Sequence, residues 1–290
     1  MGVIYDFSSA HERGICVDPD LAGTWLQSGE SKGVMTFLGL TKRRRTYIVP
    51  HNKRTNPNRD SAVVGQIGLG IMGGAFAKHL LAAGFDVVGF DIDRKRCAEL
   101  EGRRGRGADS AAAVAAQCRI LMTSLPSVKA CEAAFFGANG IAAGARRGII
   151  VIETSTLPLA VKLDVRRRCA HRGITVLDCP ISGTGAQAAA KDIAVYASGE
   201  RRAFNRCRAV FEGFARANYY CGAFGTGSKL KFIANLLVTI HNVSAAEAIV
   251  LGEKAGLDLR LLYRVIRDGA GSSRMFEVRG PSMVAGEYDK

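Results

Sequence analysis

Three glycines at the spacing Gly68-Leu69-Gly70-Ile71-Met72-Gly73 lie between an apolar run at residues 62–67 and a helical pattern at 75–83. Strand, glycine loop and helix in that order make a cradle for phosphate. Gly68 permits a sharp turn, Gly70 lets bare backbone approach a pyrophosphate, and Gly73 lets the helix pack close to the strand. The chemistry is dinucleotide binding, with the phosphates resting on unpaired N–H groups at the helix start. Gly84 closes the helix, residues 86–90 read as a second strand, and Asp91 falls 18 residues after Gly73. A carboxylate there accepts the ribose hydroxyls of NAD and repels the 2′-phosphate of NADP, so the expected cofactor is NAD over NADP, with Arg94 nearby as the opposing influence. With 34 glycines in 290 residues the spacing alone means little; the strand-helix-strand context carries the reading.

Other reactive side chains stand alone in the sequence. Lys231 and Asn235 are four residues apart, hence on one face of a helix, and such a pair taken by itself is a solvated one. His79 and His241 fall within helical patterns and read as structural or surface residues. The eight cysteines are scattered with no CxxC pair, which argues against a zinc site or a disulfide framework. They read as reduced, mostly buried thiols of a cytoplasmic protein, with no metal.

From residue 62 onward short apolar runs alternate with helical patterns, the signature of a doubly wound α/β sheet. Helices are expected at 93–100 and 111–117, the latter entered through the capping residues Asp109 and Ser110. A buried strand at 120–123 ends in Ser124-Leu125-Pro126-Ser127, and another at 149–152 ends in Glu153-Thr154-Ser155-Thr156. Both loops lie at the carboxyl edge of a parallel sheet, where ligands bind. A helix at 158–170, strands at 175–178, 193–197 and 217–221, and a helix at 202–213 continue the same sheet. The pattern then changes: a helix from 228 to about 255, too apolar for one solvated face, reads as a spine. A helix at 257–267 and a loop-like Gly280-Pro281 stretch follow. The expected domains are a basic, poorly ordered extension at 1–60, a nucleotide-binding domain at 61–222 and an incomplete all-α domain at 223–290.

Four motifs in order resemble the β-hydroxyacid dehydrogenase family, which includes 3-hydroxyisobutyrate, tartronate semialdehyde and 6-phosphogluconate dehydrogenases. The family's GLGxMG is matched at 68–73. Its DxPVSGG appears as Asp178-Cys179-Pro180-Ile181-Ser182-Gly183-Thr184, with Thr184 replacing the second glycine. Its GxGxxxKxxxN is matched by Gly225, Gly227, Lys231 and Asn235, and its two cofactor-side loops by Leu125-Pro126 and Ser155-Thr156, with Glu153 where Asp is commoner. The resemblance implies a Rossmann-type domain followed by a helical one, and oxidation of the hydroxyl of a small carboxylate-bearing 3-hydroxy acid. Lys231 becomes the general acid/base, which a desolvated lysine can be. Asn235, Ser182, Gly183 and Thr184 become substrate contacts, with Asp178 shaping the loop and Lys191-Asp192 departing from the small residues common there. Gly68, Leu69, Gly70, Ile71, Met72, Gly73, Asp91, Leu125, Pro126, Ser155 and Thr156 become cofactor contacts.

The net charge of +14 is concentrated: residues 42–60 hold seven Lys or Arg against one acid. This reads as a solvated basic tail and not as a nucleic-acid site. The longest strongly apolar run, near 232–240, is far short of the roughly 20 residues that cross a bilayer, so no membrane partner is expected. Relatives in the family continue for roughly 60 to 70 residues beyond the point matching Lys290, so the resemblance implies a truncated chain that binds NAD with little turnover. A complete helical domain implies a homo-oligomer. The competing reading is a catalytically inactive nucleotide-binding fragment or non-enzymatic binding module, against which Lys231 argues, since non-catalytic relatives replace it. Imine-reducing relatives also carry another residue type there.

Overall fold

The computed structural model describes residues 63–287; the basic extension expected at 1–60 lies outside the described residues. Strands β1 (Val63–Ile67), β2 (Asp86–Phe90), β3 (Arg106–Gly107), β4 (Ile120–Thr123), β5 (Ile150–Glu153) and β6 (Thr175–Asp178) form one parallel sheet in the order β3-β2-β1-β4-β5-β6. Helices cover both faces, so the strands read as continuous apolar runs; every residue of β5 is buried. On one face, Phe76 and Leu80 of α1 (Ile71–Ala82) pack with Phe211 and Phe214 from residues 201–214. On the other, Val114 of α3 (Ala111–Gln117) packs with Phe135, Ile141 and Val165. Between them α2 (Arg94–Glu101) follows β2, capped by the Asp93 carboxylate, which accepts from Lys95 N–H at 3.0 Å.

Two strands expected in this sheet lie elsewhere. β7 (Ile181–Ser182) runs antiparallel to β8 (Ala194–Ala197), which pairs in parallel with β9 (Ala217–Tyr220), giving a separate three-stranded sheet. Pro180 has no N–H to give a ladder and ends the main-sheet pairing just after Asp178. A single antiparallel bridge, Asp178 to Ser198, ties the two sheets together. Periodicity identifies a strand but not its partner, which is why the extra sheet is invisible in the pattern.

A long helix follows from Thr226 to Lys254, labelled α9 after α4 (Val128–Phe136), α5 (Ile141–Gly144), α6 (Leu159–Ala170), α7 (Gly185–Ala189) and α8 (Arg201–Phe214). It packs against α10 (Leu259–Arg267) and α11 (Arg274–Ala285) through Ala245, Ile249 and Phe276. The Gly280-Pro281 stretch, expected as loop, lies inside α11. Proline there leaves the Glu277 carbonyl without its helical donor. The Tyr263 hydroxyl donates to that carbonyl at 3.1 Å, and its ring occupies the space a Cβ on Gly280 would need.

The expectation that no segment suits a membrane also needs correction. By length and composition alone α9 qualifies, and most of its surface is exposed. Counting only consecutive apolar residues missed it, because Asn235, Thr239, His241 and Asn242 interrupt the run without lowering the average enough. The apolar surplus is on the outside: Ile233, Leu236, Ile240 and Leu251 are 58%, 59%, 51% and 70% exposed.

Candidate active site

The glycine loop folds as its spacing requires. Gly68 adopts φ +83°, its N–H donates to the Phe90 carbonyl at 2.9 Å, and a Cβ on it would overlap the Ser124 carbonyl oxygen. A Cβ on Gly73 would overlap the Gly68 carbonyl, so α1 can start this close to β1 only with glycine there. Gly70 is the N-cap of α1 and supplies no side chain to the first N–H groups, which are therefore left for a ligand. Only the tip of Arg96 stands near the position of a Gly70 Cβ, at 3.2 Å. Leu69 is buried, Met72 partly buried and Ile71 81% exposed.

Asp91, 6% exposed, braces this loop: Oδ2 accepts from the Leu69 N–H at 2.7 Å and Oδ1 from the Asp93 N–H at 2.9 Å. Oδ1 keeps a lone pair for a ribose hydroxyl. The cation beside it is Arg96, at 3.4 Å, whereas Arg94 pairs with Asp109 at 3.1 Å. The cofactor-side loops are joined to each other, the Ser155 hydroxyl accepting from the Leu125 N–H at 2.9 Å. Pro126 and Thr156 are exposed beside them.

The substrate loop follows β6. Ser182 and Gly183 are half-buried, Gly183 at φ +143°. Thr184 is exposed and caps the next helix. Its N–H donates to Gln187 Oε1 at 3.0 Å and its hydroxyl accepts from the Gln187 N–H at 3.3 Å, a capping box that starts α7. Threonine in place of glycine provides an N-cap side chain, which leaves Ser182 and Gly183 as the loop's free polar groups. His79 of α1 has the structural role expected of it, its Nε2–H donating to the carbonyls of Ala188 and Ala189 at 2.9 and 3.1 Å. Asp192 pairs with Arg216 at 2.7 Å.

Helix α9 enters on two glycines. Gly225 is the N-cap at φ +94°, and a Cβ on Gly227 would overlap the Tyr196 carbonyl. The inward stripe of its first turns holds Gly227, Ser228, Lys231, Ala234 and Asn235, while Lys229 faces solvent. The helix contacts β6, β7 and β8, its first turn meeting the Tyr196 carbonyl at Gly227 and the Asp178 carboxylate at Ser228. Burial lowers the Lys231 ammonium's pKa below the usual lysine value.

Sequence reasoning missed the group beneath this turn. Lys162 of α6, 2% exposed, lies 2.7 Å from Glu153 Oε2 and 2.8 Å from Asp178 Oδ1. Burial is the largest influence on its ammonium and lowers the pKa, but the Glu153 and Asp178 charges and hydrogen bonds together outweigh it and raise the value. Asp178 also accepts from Ser198 Oγ at 3.1 Å, Ser228 N–H at 2.9 Å and Ser228 Oγ at 2.7 Å. A signal was present: Lys162 shares a helical stripe with buried Val165 and Cys169, a position for an apolar residue unless a charge partner awaits.

Residues 63–222 match the family model for the NAD binding domain of 6-phosphogluconate dehydrogenase, and 225–290 that for the NAD-binding domain of NADP-dependent 3-hydroxyisobutyrate dehydrogenase. An L-threonate dehydrogenase of Cupriavidus necator is 38% identical over 226 residues, covering 78% of this chain and 76% of the relative. The chain belongs to the β-hydroxyacid dehydrogenase family. A mitochondrial 3-hydroxyisobutyrate dehydrogenase of Mus musculus is 29% identical over 250 residues, 86% of this chain and 71% of the relative. A crystal structure of 3-hydroxyisobutyrate dehydrogenase from Salmonella typhimurium superposes with TM-score 0.70 at 32% identity, over 78% of this chain and 80% of that one. Imine reductases from Myxococcus stipitatus, at 20% identity and TM-scores of 0.61 and 0.62, share the fold. The Rossmann-type sheet, the helical segment after it and the glycine cradle are thus those of a nicotinamide-dependent oxidoreductase family.

Proposed function

We propose that this β-hydroxyacid dehydrogenase oxidises the hydroxyl of a small 3-hydroxy acid, of the threonate, 3-hydroxyisobutyrate or tartronate semialdehyde type, with Lys231 as general base and NAD as cofactor. The observation that carries the reading is the stripe on α9: on a helix with most of its surface exposed, Lys231 and Asn235 are half-buried on the same face as Ser228, which is bonded to Asp178 at the start of the loop leading to Ser182. The cradle fits a dinucleotide, having a glycine N-cap and an acid with a spare lone pair at the ribose position. Bound there, the cofactor supplies the hydride acceptor. The chain's own residues do the remainder. Neutral Lys231 takes the hydroxyl proton as the carbon–oxygen double bond forms. Asn235 holds the reacting oxygen end by hydrogen bonds, and the Ser182 hydroxyl with the Gly183 N–H takes the carboxylate.

Asp91 supports NAD over NADP, with Arg96 as the opposing influence. The seven described cysteines are free thiols, which suits a reducing compartment, in this reading the cytoplasm. The exposed apolar face of α9 is read as contact with a second copy, because an isologous contact covers the same face on both subunits. Activity is tested with NAD and L-threonate, 3-hydroxyisobutyrate and related acids at saturating concentration. Turnover of at least one supports the reading, slow turnover fitting the short helical domain, and NAD binding without turnover of any favours the inactive nucleotide-binding fragment or binding module.

A further inference from the structure

We propose that Lys162, in α6 and outside every motif of the site, is a positioning residue for Lys231, acting through Asp178 and Ser228. The inference rests on Lys231 being the acid/base, and it names what aims it.

Helix α9 has no capping side chain of its own at Gly225. Its first N–H groups are satisfied from other elements: Thr226 donates to the Ala223 carbonyl at 3.1 Å, Gly227 to Ser198 Oγ at 3.0 Å, and Ser228 to Asp178 Oδ2 at 2.9 Å. Asp178 thus caps the helix from β6 and places an anion at its positive end. The Ser228 hydroxyl adds a second bond to the same carboxylate, at 2.7 Å to Oδ1. A backbone and a side-chain bond to one carboxylate fix both the height and the rotation of the first turn. At 100° per residue, Ser228, Lys231 and Asn235 fall within about 60° of one another. The face pinned at Ser228 is therefore the face that carries the reactive amine.

The carboxylate that does this pinning is held by Lys162 at 2.8 Å, itself held by Glu153 at 2.7 Å. Burying such a triad adds little stability compared with apolar side chains of the same size. What it supplies here is direction, because each Asp178 oxygen has two defined partners and no freedom to turn. Glu153 also accepts from the Ser155 N–H at 2.8 Å, so the same triad reaches the cofactor-side loop.

The test is competitive acetylation of the full chain by acetic anhydride across pH, with Lys231 followed by mass spectrometry. It reads the ionisation of that amine without needing turnover. Lys162→Met paired with Glu153→Gln keeps the net charge of the buried group, so lost repulsion cannot account for a change. In that variant the half-labelling pH of Lys231 is expected to rise by about half a unit or more as the amine leaves its half-buried position. Ser228→Ala, which removes one hydroxyl and no charge, should shift it in the same direction by less and keeps the test open if the double variant fails to fold. In both, kcat for hydroxy-acid oxidation should fall at least tenfold, in Ser228→Ala with NAD affinity within about twofold, and neither should lower kcat further in a Lys231→Ala background. An unchanged half-labelling pH in a folded variant overturns the inference. If Lys231→Ala itself keeps its turnover, the acid/base reading fails instead, and the labelling shift still reports whether Lys162 sets the position of Lys231.

Discussion

Asp178 and Ser228, fifty residues apart in the chain, meet through two hydrogen bonds: the serine N–H at 2.9 Å and its hydroxyl at 2.7 Å both reach the one carboxylate. The strand that ends the Rossmann sheet thereby caps the helix that carries Lys231. Replacing Asp178 by Ala leaves Lys162 buried with one partner fewer and α9 uncapped. The expected loss is about 3–5 kcal/mol, the cost of breaking a buried ion group, read as a lowered midpoint in urea unfolding. A midpoint within about 1 kcal/mol of the parent contradicts the assignment.

Lys231 is held below the usual lysine pKa by burial. As a base in oxidation it must be neutral, so kcat/KM for oxidation should rise with pH and level off above that lowered value. Reduction of the corresponding carbonyl needs the protonated amine and should fall over the same range. Profiles measured in both directions should mirror each other; a pH-independent oxidation rate contradicts the role.

Asp91 should give NAD at least a tenfold advantage over NADP, about 1.4 kcal/mol. Arg96 is the nearest cation, at 3.4 Å, and Arg96→Ala should widen the gap. Calorimetry with both nucleotides decides it: equal affinities in the parent chain sink the preference.

The Tyr263 hydroxyl answers the carbonyl that Pro281 leaves free. Tyr263→Phe should cost about 1 kcal/mol in denaturant unfolding, while an unchanged midpoint means that water serves the Glu277 carbonyl as well.

Exposed Ile233, Leu236 and Ile240 on α9 should bring two copies together. Light scattering on the purified chain at micromolar concentration should give a dimer or larger, and Leu236→Glu should reduce its mass. A monomeric parent chain removes the second-copy reading.

Much of this site is legible in sequence because its parts depend on local spacing. The glycine loop and Asp91 at the end of β2 need only a few adjacent residues to be read, whereas the pair Lys231–Asn235, solvated when read by itself, takes its meaning from four motifs in order. Lys162, Ser198 and Ser228 are illegible because their meaning is a partner in another element, and a lysine or serine in a helix or just past a strand says nothing of that partner. Thr184 has a second role that the motif hid: threonine at a helix start caps α7, engaging both its N–H and its hydroxyl with Gln187. Pro281 marks a loop in most sequences, and its place within a helix is met by a partner eighteen positions earlier, the Tyr263 hydroxyl on the Glu277 carbonyl.

The measurement that bears most directly on the account is kcat for NAD-dependent oxidation of L-threonate or 3-hydroxyisobutyrate, whichever the parent chain turns over faster, compared with Lys231→Ala. NAD affinity is checked in parallel. The account predicts a fall in kcat on the order of 10² or more with NAD binding nearly unchanged. A Lys231→Ala protein that keeps most of its turnover contradicts it.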